Sequence, residues 1–126
     1  MRYLTLVEAL VVAEAVTGIS SDLLGRSARV GLLDSALHAP AAEFGSQEFY
    51  PDFVDKAAVL AVRIAGNHPL PDGNKRLAWT CLTMFCDLNG HQLEVPTDDA
   101  VAQMMAVAAG EVDEAGMALW LSDRIR

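Results

Sequence analysis

The chain has 126 residues, 52% of them hydrophobic and only 6% aromatic, with a net charge of −8. That length suits one domain, residues 1–126, whose core needs no disulfide or metal staple. The acidity argues against general nucleic-acid binding, which depends on clustered Lys and Arg. No apolar run reaches the roughly 18 residues of a membrane span, because Glu8 and Glu14 break the greasiest stretch. Twenty residues are Ala, a strong helix former, whereas β-branched and aromatic residues build strands; an all-α domain is expected. The first residues lack the basic region and cleavage pattern of a secretory leader. Cys81 and Cys86 lie five apart in an expected helix and point in different directions, so they are read as unpaired thiols in a reducing, cytoplasmic setting.

The first expected helix runs from Leu4 to Val16, with Glu8 and Glu14 on its wet side. Gly18 to Ser27 reads as a loop, and Val30 to Leu37 as a short second helix closed by Pro40. Pro40 to Tyr50 has no helical period, and long connections in small domains are often functional. Pro51 suits a helix start, where its missing N–H costs nothing. Phe53, Ala57, Leu60 and Ile64 then recur at helical spacing and mark a buried face, with Gly66 as the stop. A second strong helix begins at Asn74, with Leu77, Cys81, Met84, Phe85 and Leu88 as its core stripe and Asn89-Gly90 as its end. Thr97-Asp98-Asp99 reads as the cap of a further helix with Val101, Met105 and Ala108 inward. Asp113 reads as the cap of a last helix through Met117, Leu121 and Ile125. The expected architecture is about six helices around a central helix–loop–helix. His38 and His91 lie near loops and are read as solvated. Trp79 and Trp120 are read as packing residues, with Trp79 close enough to the central loop to touch a ligand there.

That central loop, His68-Pro69-Leu70-Pro71-Asp72-Gly73-Asn74-Lys75-Arg76, concentrates the chemistry. Two Pro residues stiffen it, and Gly73 permits a tight turn and close backbone approach by a ligand. A helix then starts, and its first N–H groups, lacking intrahelical partners, attract anions and phosphate above all. Lys75 and Arg76 are unfavourable beside the positive end of the helix dipole unless something negative compensates them. Asp72 is a hard oxygen ligand beside the expected phosphates, an arrangement that suits Mg²⁺ shared with a nucleotide. His68 can accept a proton near neutral pH, as a general base on a hydroxyl does. Arg29 and Arg63 are further cations able to reach a phosphate from other elements. Each element also has a duller reading: Pro-Asp-Gly is a common turn, and a lone His beside a helix end is more often structural. Together they spell phosphoryl or nucleotidyl transfer from a nucleotide to a protein side chain.

His68 to Arg76 resembles the signature of the Fic/Doc superfamily, His-x-Phe-x-Asp/Glu-Gly-Asn-x-Arg. Lys75 stands where the adenylyl-transferring Fic enzymes carry Gly, which is typical of the Doc, or death-on-curing, branch. Tyr3-Leu4-Thr5, Gly31 to Leu37, Tyr50-Pro51-Asp52, Lys56-Ala57-Ala58, Asn89-Gly90 and Ala108 to Glu111 also resemble the Doc pattern. The resemblance implies an all-α Fic fold with a short flap over Ala42 to Tyr50. It implies a toxin of a toxin–antitoxin pair: an ATP- and Mg²⁺-dependent kinase that phosphorylates a protein Ser or Thr hydroxyl, with an elongation factor Tu-like target and arrest of translation. It assigns the general base to His68, the metal to Asp72, and the nucleotide to Gly73, Asn74, Lys75 and Arg76. The antitoxin partner of such proteins binds as a helix in a groove, which Met104 and Met105 are placed to line unless they fill the core. Departures are Leu70 for the motif's Phe, the extra Pro71 and Leu77 for a frequent Thr. Trp79 stands where the adenylyl transferases carry a second Arg. No Glu is followed by Gly or Asn, so the self-inhibiting motif is absent. Two other readings stay open: a Fic-type AMP transferase, and a catalytically degenerate Fic fold acting as a binding module.

Overall fold

In the computed structural model, which describes residues 1–126, the first helix, α1 (Leu6–Thr17), is opened by Thr5. The Thr5 hydroxyl accepts from the Glu8 N–H, and Glu8 accepts from the Thr5 N–H at 2.9 Å, a reciprocal capping box. Arg2 also pairs with Glu8 at 2.6 Å. That bond, followed by the Thr5 N–H, pulls the Glu8 carboxyl down to about 2. The stretch expected to be a loop contains a five-residue helix, α2 (Ser21–Gly25), capped by Ser20 and burying Leu24. Five residues are too few to display a period, which is why only turn residues were legible there.

Helix α3 (Val30–His38) leads into a 3₁₀ turn at Ala39–Ala41, then a hairpin of β1 (Glu43–Phe44) and β2 (Gln47–Glu48). Its register pairs Glu43 with Glu48 and Phe44 with Gln47 across a turn at Gly45, where φ is +65°. This hairpin fills the segment expected to be a flap. Both strands are exposed. The hairpin is tied to the core by Lys56, whose ammonium donates to Glu48 at 2.8 Å and to the Pro40 carbonyl at 3.0 Å while its stem is buried. Burial alone lowers a lysine's pKa; here the Glu48 carboxylate and the Tyr3 hydroxyl outweigh it and raise the value.

Helix α4 (Phe53–Asn67) is the hub, packing on α3, α5, α6 and α7. Ala57, Leu60 and Ile64 are fully buried as expected, but so are Ala58, Val59, Ala61 and Ala65, so apolar side chains surround the helix. Asp52, not Pro51, is its N-cap, and Pro51 precedes it. Helix α5 (Asn74–Leu88) buries Leu77, Ala78, Cys81, Leu82, Phe85 and Cys86, whereas Met84 is half-buried and Leu88 exposed. Both cysteines are free, and burial pushes each thiol up to about 12. Phe53 stacks on Phe85 and also on His91, at 4.1 Å between ring centres, so His91 is a packing residue rather than a solvated one. His38 is exposed and bonds back to the Asp34 carbonyl one turn earlier.

Pro96 is the N-cap of helix α6 (Thr97–Ala108), so Thr97, expected as part of the cap, is its first helical residue and no side chain caps this end. Ala100, Met104 and Val107 face inward, while Val101 and Met105 are exposed, one residue out of phase with expectation. Both stripes are apolar at i, i+4 and i+7, so spacing alone could not choose between them. Helix α7 (Glu114–Ser122) is capped by Asp113, which accepts from the Gly116 N–H at 2.8 Å, and buries Met117 and Leu121. Ile125 lies beyond it, bridged to Leu93. The total is seven α-helices, α4 among them at the centre, against the six or so expected. No helix is long and apolar enough to cross a membrane.

Candidate nucleotide site

Helix α4 runs through Gly66 and ends at Asn67, and His68 makes the turn instead, in the left-handed region at φ 49° and ψ 58°. It is the one non-glycine residue with positive φ in the chain. A side chain there costs about 1–2 kcal/mol, so the surroundings must hold it. Arg29, at the start of α3, donates from Nε to the His68 carbonyl at 2.8 Å and from its terminal nitrogen to the Asn67 carbonyl at 3.2 Å. Asn67 in turn donates to the Leu32 carbonyl at 3.0 Å. Arg29 thus satisfies carbonyls that the helix end leaves without partners, and its charge suits the negative end of the α4 dipole. It braces the site rather than standing free for a phosphate. Arg63 is likewise engaged, with Glu114 at 2.6 Å, and Glu114 also accepts from Tyr50.

After His68 the loop dives into the core. Pro69 and Leu70 are buried, while Pro71 stays outside. Leu70 thus takes the anchoring place of the larger aromatic in the signature. The Leu70 N–H donates to the Asn74 side-chain oxygen at 2.8 Å, and the Asn74 amide donates to the Leu70 carbonyl at 3.0 Å. This reciprocal pair closes the loop and leaves Asn74 one amide hydrogen for any ligand.

Gly73 is the N-cap of α5, at φ 83°. A Cβ at this position would lie 2.5 Å from Val16 Cγ1 of α1. Only glycine meets both demands, and with no side chain capping this end the first N–H groups of α5 are left for a ligand. Asp72, Lys75 and Arg76 are exposed and take part in none of the chain's six ion pairs.

Pro71 to Arg76 form one rim of a cavity of about 570 Å³, within the range of small-ligand sites. The structure therefore brings Asp72, Gly73, Asn74, Lys75 and Arg76 together. His68 stands outside the lining, exposed at the loop's start. The rest of the lining comes from Val16, Thr17 and Ile19 at the end of α1, from Trp79, from Val95 and Thr97, and from Ala100, Val101, Met104 and Met105 of α6. Apart from Trp79 and the two methionines, the residues of those walls carried no local signal, because only tertiary packing sets them opposite the loop. No cluster of three metal-ligating side chains forms anywhere. Asp72 is a single free carboxylate beside the N-terminus of α5, which fits Mg²⁺ held by one carboxylate, substrate phosphates and water.

The sequence model of the Fic/DOC family matches residues 3–86, from just before the cap of α1 through the loop and most of α5. The chain is also 42% identical over 85 residues to a protein named Toxin Doc from Mycolicibacterium smegmatis (strain ATCC 700084 / mc(2)155). That match spans 66% of this chain and 65% of its relative's length.

Proposed function

Because the chain belongs to the Fic/DOC family, we propose that it is the toxin of a toxin–antitoxin pair and transfers the γ-phosphate of ATP to a protein Ser or Thr hydroxyl. The observation that carries this reading is the rim of the cavity. There the open N-terminus of α5 meets two unpaired cations and a free carboxylate in a chain whose net charge is −8. A polyphosphate with Mg²⁺ neutralises that arrangement; water alone leaves Lys75 and Arg76 at the unfavourable end of the dipole.

In this reading the free N–H groups of α5, with Lys75 and Arg76, hold the phosphates and stabilise the charge that spreads over the transferred group. Asp72 holds Mg²⁺, which neutralises phosphate charge when bound. His68 takes the proton of the target hydroxyl as its oxygen bonds to the γ-phosphorus. The bond from that phosphorus to the β–γ bridging oxygen breaks, and ADP leaves. A general base of this kind contributes about 10²–10⁴-fold to the rate. Gly73 supports close approach of the phosphates, and Asn74 holds the loop in shape and offers its remaining amide hydrogen. Trp79 in place of a second Arg favours phosphate over AMP transfer.

The hairpin over Glu43–Glu48 is the flap against which the target segment registers. The target class is an elongation factor Tu-like protein, and the consequence is arrest of translation. The antitoxin lays a helix along an apolar groove of the toxin. Two buried free cysteines suit action in the reducing cytoplasm.

Induced expression in a bacterial host tests the toxin reading. The wild-type chain is expected to stop growth and amino-acid incorporation, and His68→Ala at equal soluble level to restore both. Arrest that persists with His68→Ala would separate toxicity from this chemistry.

A further inference from the structure

The reading above, on which this inference rests, makes His68 the base. Its ring is exposed and outside the cavity lining, so no wall of the cavity aims it. We propose that Arg29 is the positioning residue of this base. Its guanidinium locks the left-handed turn from which the His68 side chain projects, and so sets the rate of proton removal without touching the nucleotide.

Four observations converge on Arg29. The bond from its Nε to the His68 carbonyl, at 2.8 Å, is the one hydrogen bond that His68 makes. The peptide that follows offers no other handle, because Pro69 has no N–H, and the next fixed point is the Leu70 N–H on Asn74. Second, a left-handed residue with a side chain relaxes unless its surroundings hold it, and Gly66, two residues earlier, offers the chain an easier place to turn. Third, the exposed Arg29 guanidinium joins none of the six ion pairs in a chain with 17 acidic residues. It goes to the Asn67 and His68 carbonyls instead, and it does not line the cavity. Fourth, Arg29 is itself fixed: its N–H donates to Ser27 Oγ at 3.1 Å, and its carbonyl accepts from the Leu32 N–H at 3.0 Å. The Leu32 carbonyl in turn accepts from the Asn67 amide. The start of α3 and the end of α4 therefore hold each other in both directions. A fork that spans two consecutive carbonyls is a geometry that a lysine ammonium lacks.

The test measures initial rates of γ-label transfer from Mg-ATP to the proteins of a bacterial extract. It uses the full chain as wild type, Arg29→Ala, His68→Ala and the double variant. Arg29→Ala is expected to lower the rate at saturating ATP by up to about 10²-fold, the loss that misplacing a reacting group brings, and to leave the KM for ATP unchanged. In the His68→Ala background the same change is expected to remove nothing further. Added guanidinium is expected to restore the single Arg29→Ala variant but not the double one. Arg26→Ala, which removes an equal charge from an exposed pair with Asp22, is expected to leave the rate unchanged. Arg29→Lys keeps the charge without the fork; it is expected to fall between, and it serves if Arg29→Ala folds poorly. A second readout needs no activity: of the three histidine rings, only that of His68 is expected to broaden in the NMR spectrum of the Arg29 variants. An undiminished rate, an equal loss in both backgrounds, a raised KM at unchanged rate, or an unaltered His68 ring signal overturns the positioning role and leaves His68 as base. If His68→Ala transfers as fast as wild type, the base reading itself falls, and this inference falls with it.

Discussion

Gly73 is where the backbone of the loop meets the rest of the molecule. Its φ of +83° and its approach to Val16 are separate demands, and alanine offends both. Gly73→Ala is expected to destabilise the chain by about 1–3 kcal/mol, from left-handed strain plus overpacking, measured by urea unfolding. In a double-mutant cycle, Val16→Ala should relieve the overpacking part and leave the strain, giving a favourable coupling between the two sites; strict additivity would mean that α1 does not press on the loop. The need for glycine was legible from Pro-Asp-Gly before a helix. The pressure from Val16 was not, since 57 positions separate the two residues in the chain. Arg29 shows the same limit: its charge was visible, but its bonds to the carbonyls of Asn67 and His68 depend on where α3 begins in space. The turn made by His68 was hidden for a different reason, because Gly66 is the better left-handed residue and tertiary bonds override that preference at this helix end.

Among the helices, α6 separates what spacing can and cannot decide. Two apolar stripes lie side by side on it, and burial falls on Met104, at 3% exposure, rather than on Met105. Thermal or chemical unfolding should find Met104→Ala costly by about 2–5 kcal/mol and Met105→Ala within about 0.5 kcal/mol. The reverse ranking would put the other stripe inward. Both stripes reach the cavity, Ala100 and Met104 from the buried one and Val101 and Met105 from the exposed one, so the apolar width of α6 serves the core and the site together. Helix α1 gives a pH-dependent expectation. Its Glu8 carboxyl sits at about 2 rather than 4.5 because Arg2 and the Thr5 N–H hold the charged form. A lowered folded-state pKa means that the stability it adds is complete above the usual carboxylate range and is lost as pH falls toward 2. Wild type should therefore melt above Glu8→Gln at neutral pH, with the two curves converging between about pH 4 and 2. A gap that stays constant across that range would remove the ionised pair from the account. The capping box itself was open to local reading, since Thr5 and Glu8 stand three apart before an apolar run; the hairpin, with two residues per strand, was not.

At the scale of the molecule, an acidic, Ala-rich chain announced its helical class and its single loop of dense chemistry, because composition and helical period act locally. The assembly around α4 sets the remainder: α1 and α6 close on the open end of α5, Arg29 fixes the turn before it, and Lys56 ties down the hairpin. That assembly makes Pro71 to Arg76 the ionic rim of a cavity whose other walls are largely apolar, with His68 outside its lining. The central claim is that this cavity delivers a terminal phosphate to a protein hydroxyl with His68 as base. Labelling of a bacterial extract tests it most directly, with Mg²⁺ and ATP carrying ³²P at the γ-position in one sample and at the α-position in another, for wild type and His68→Ala. The expected result is one dominant protein labelled from the γ-position only, with the signal down by about 10²–10⁴-fold in His68→Ala. Label arriving from the α-position would instead make the chain an AMP transferase, and γ-label undiminished in His68→Ala would take the base away from His68.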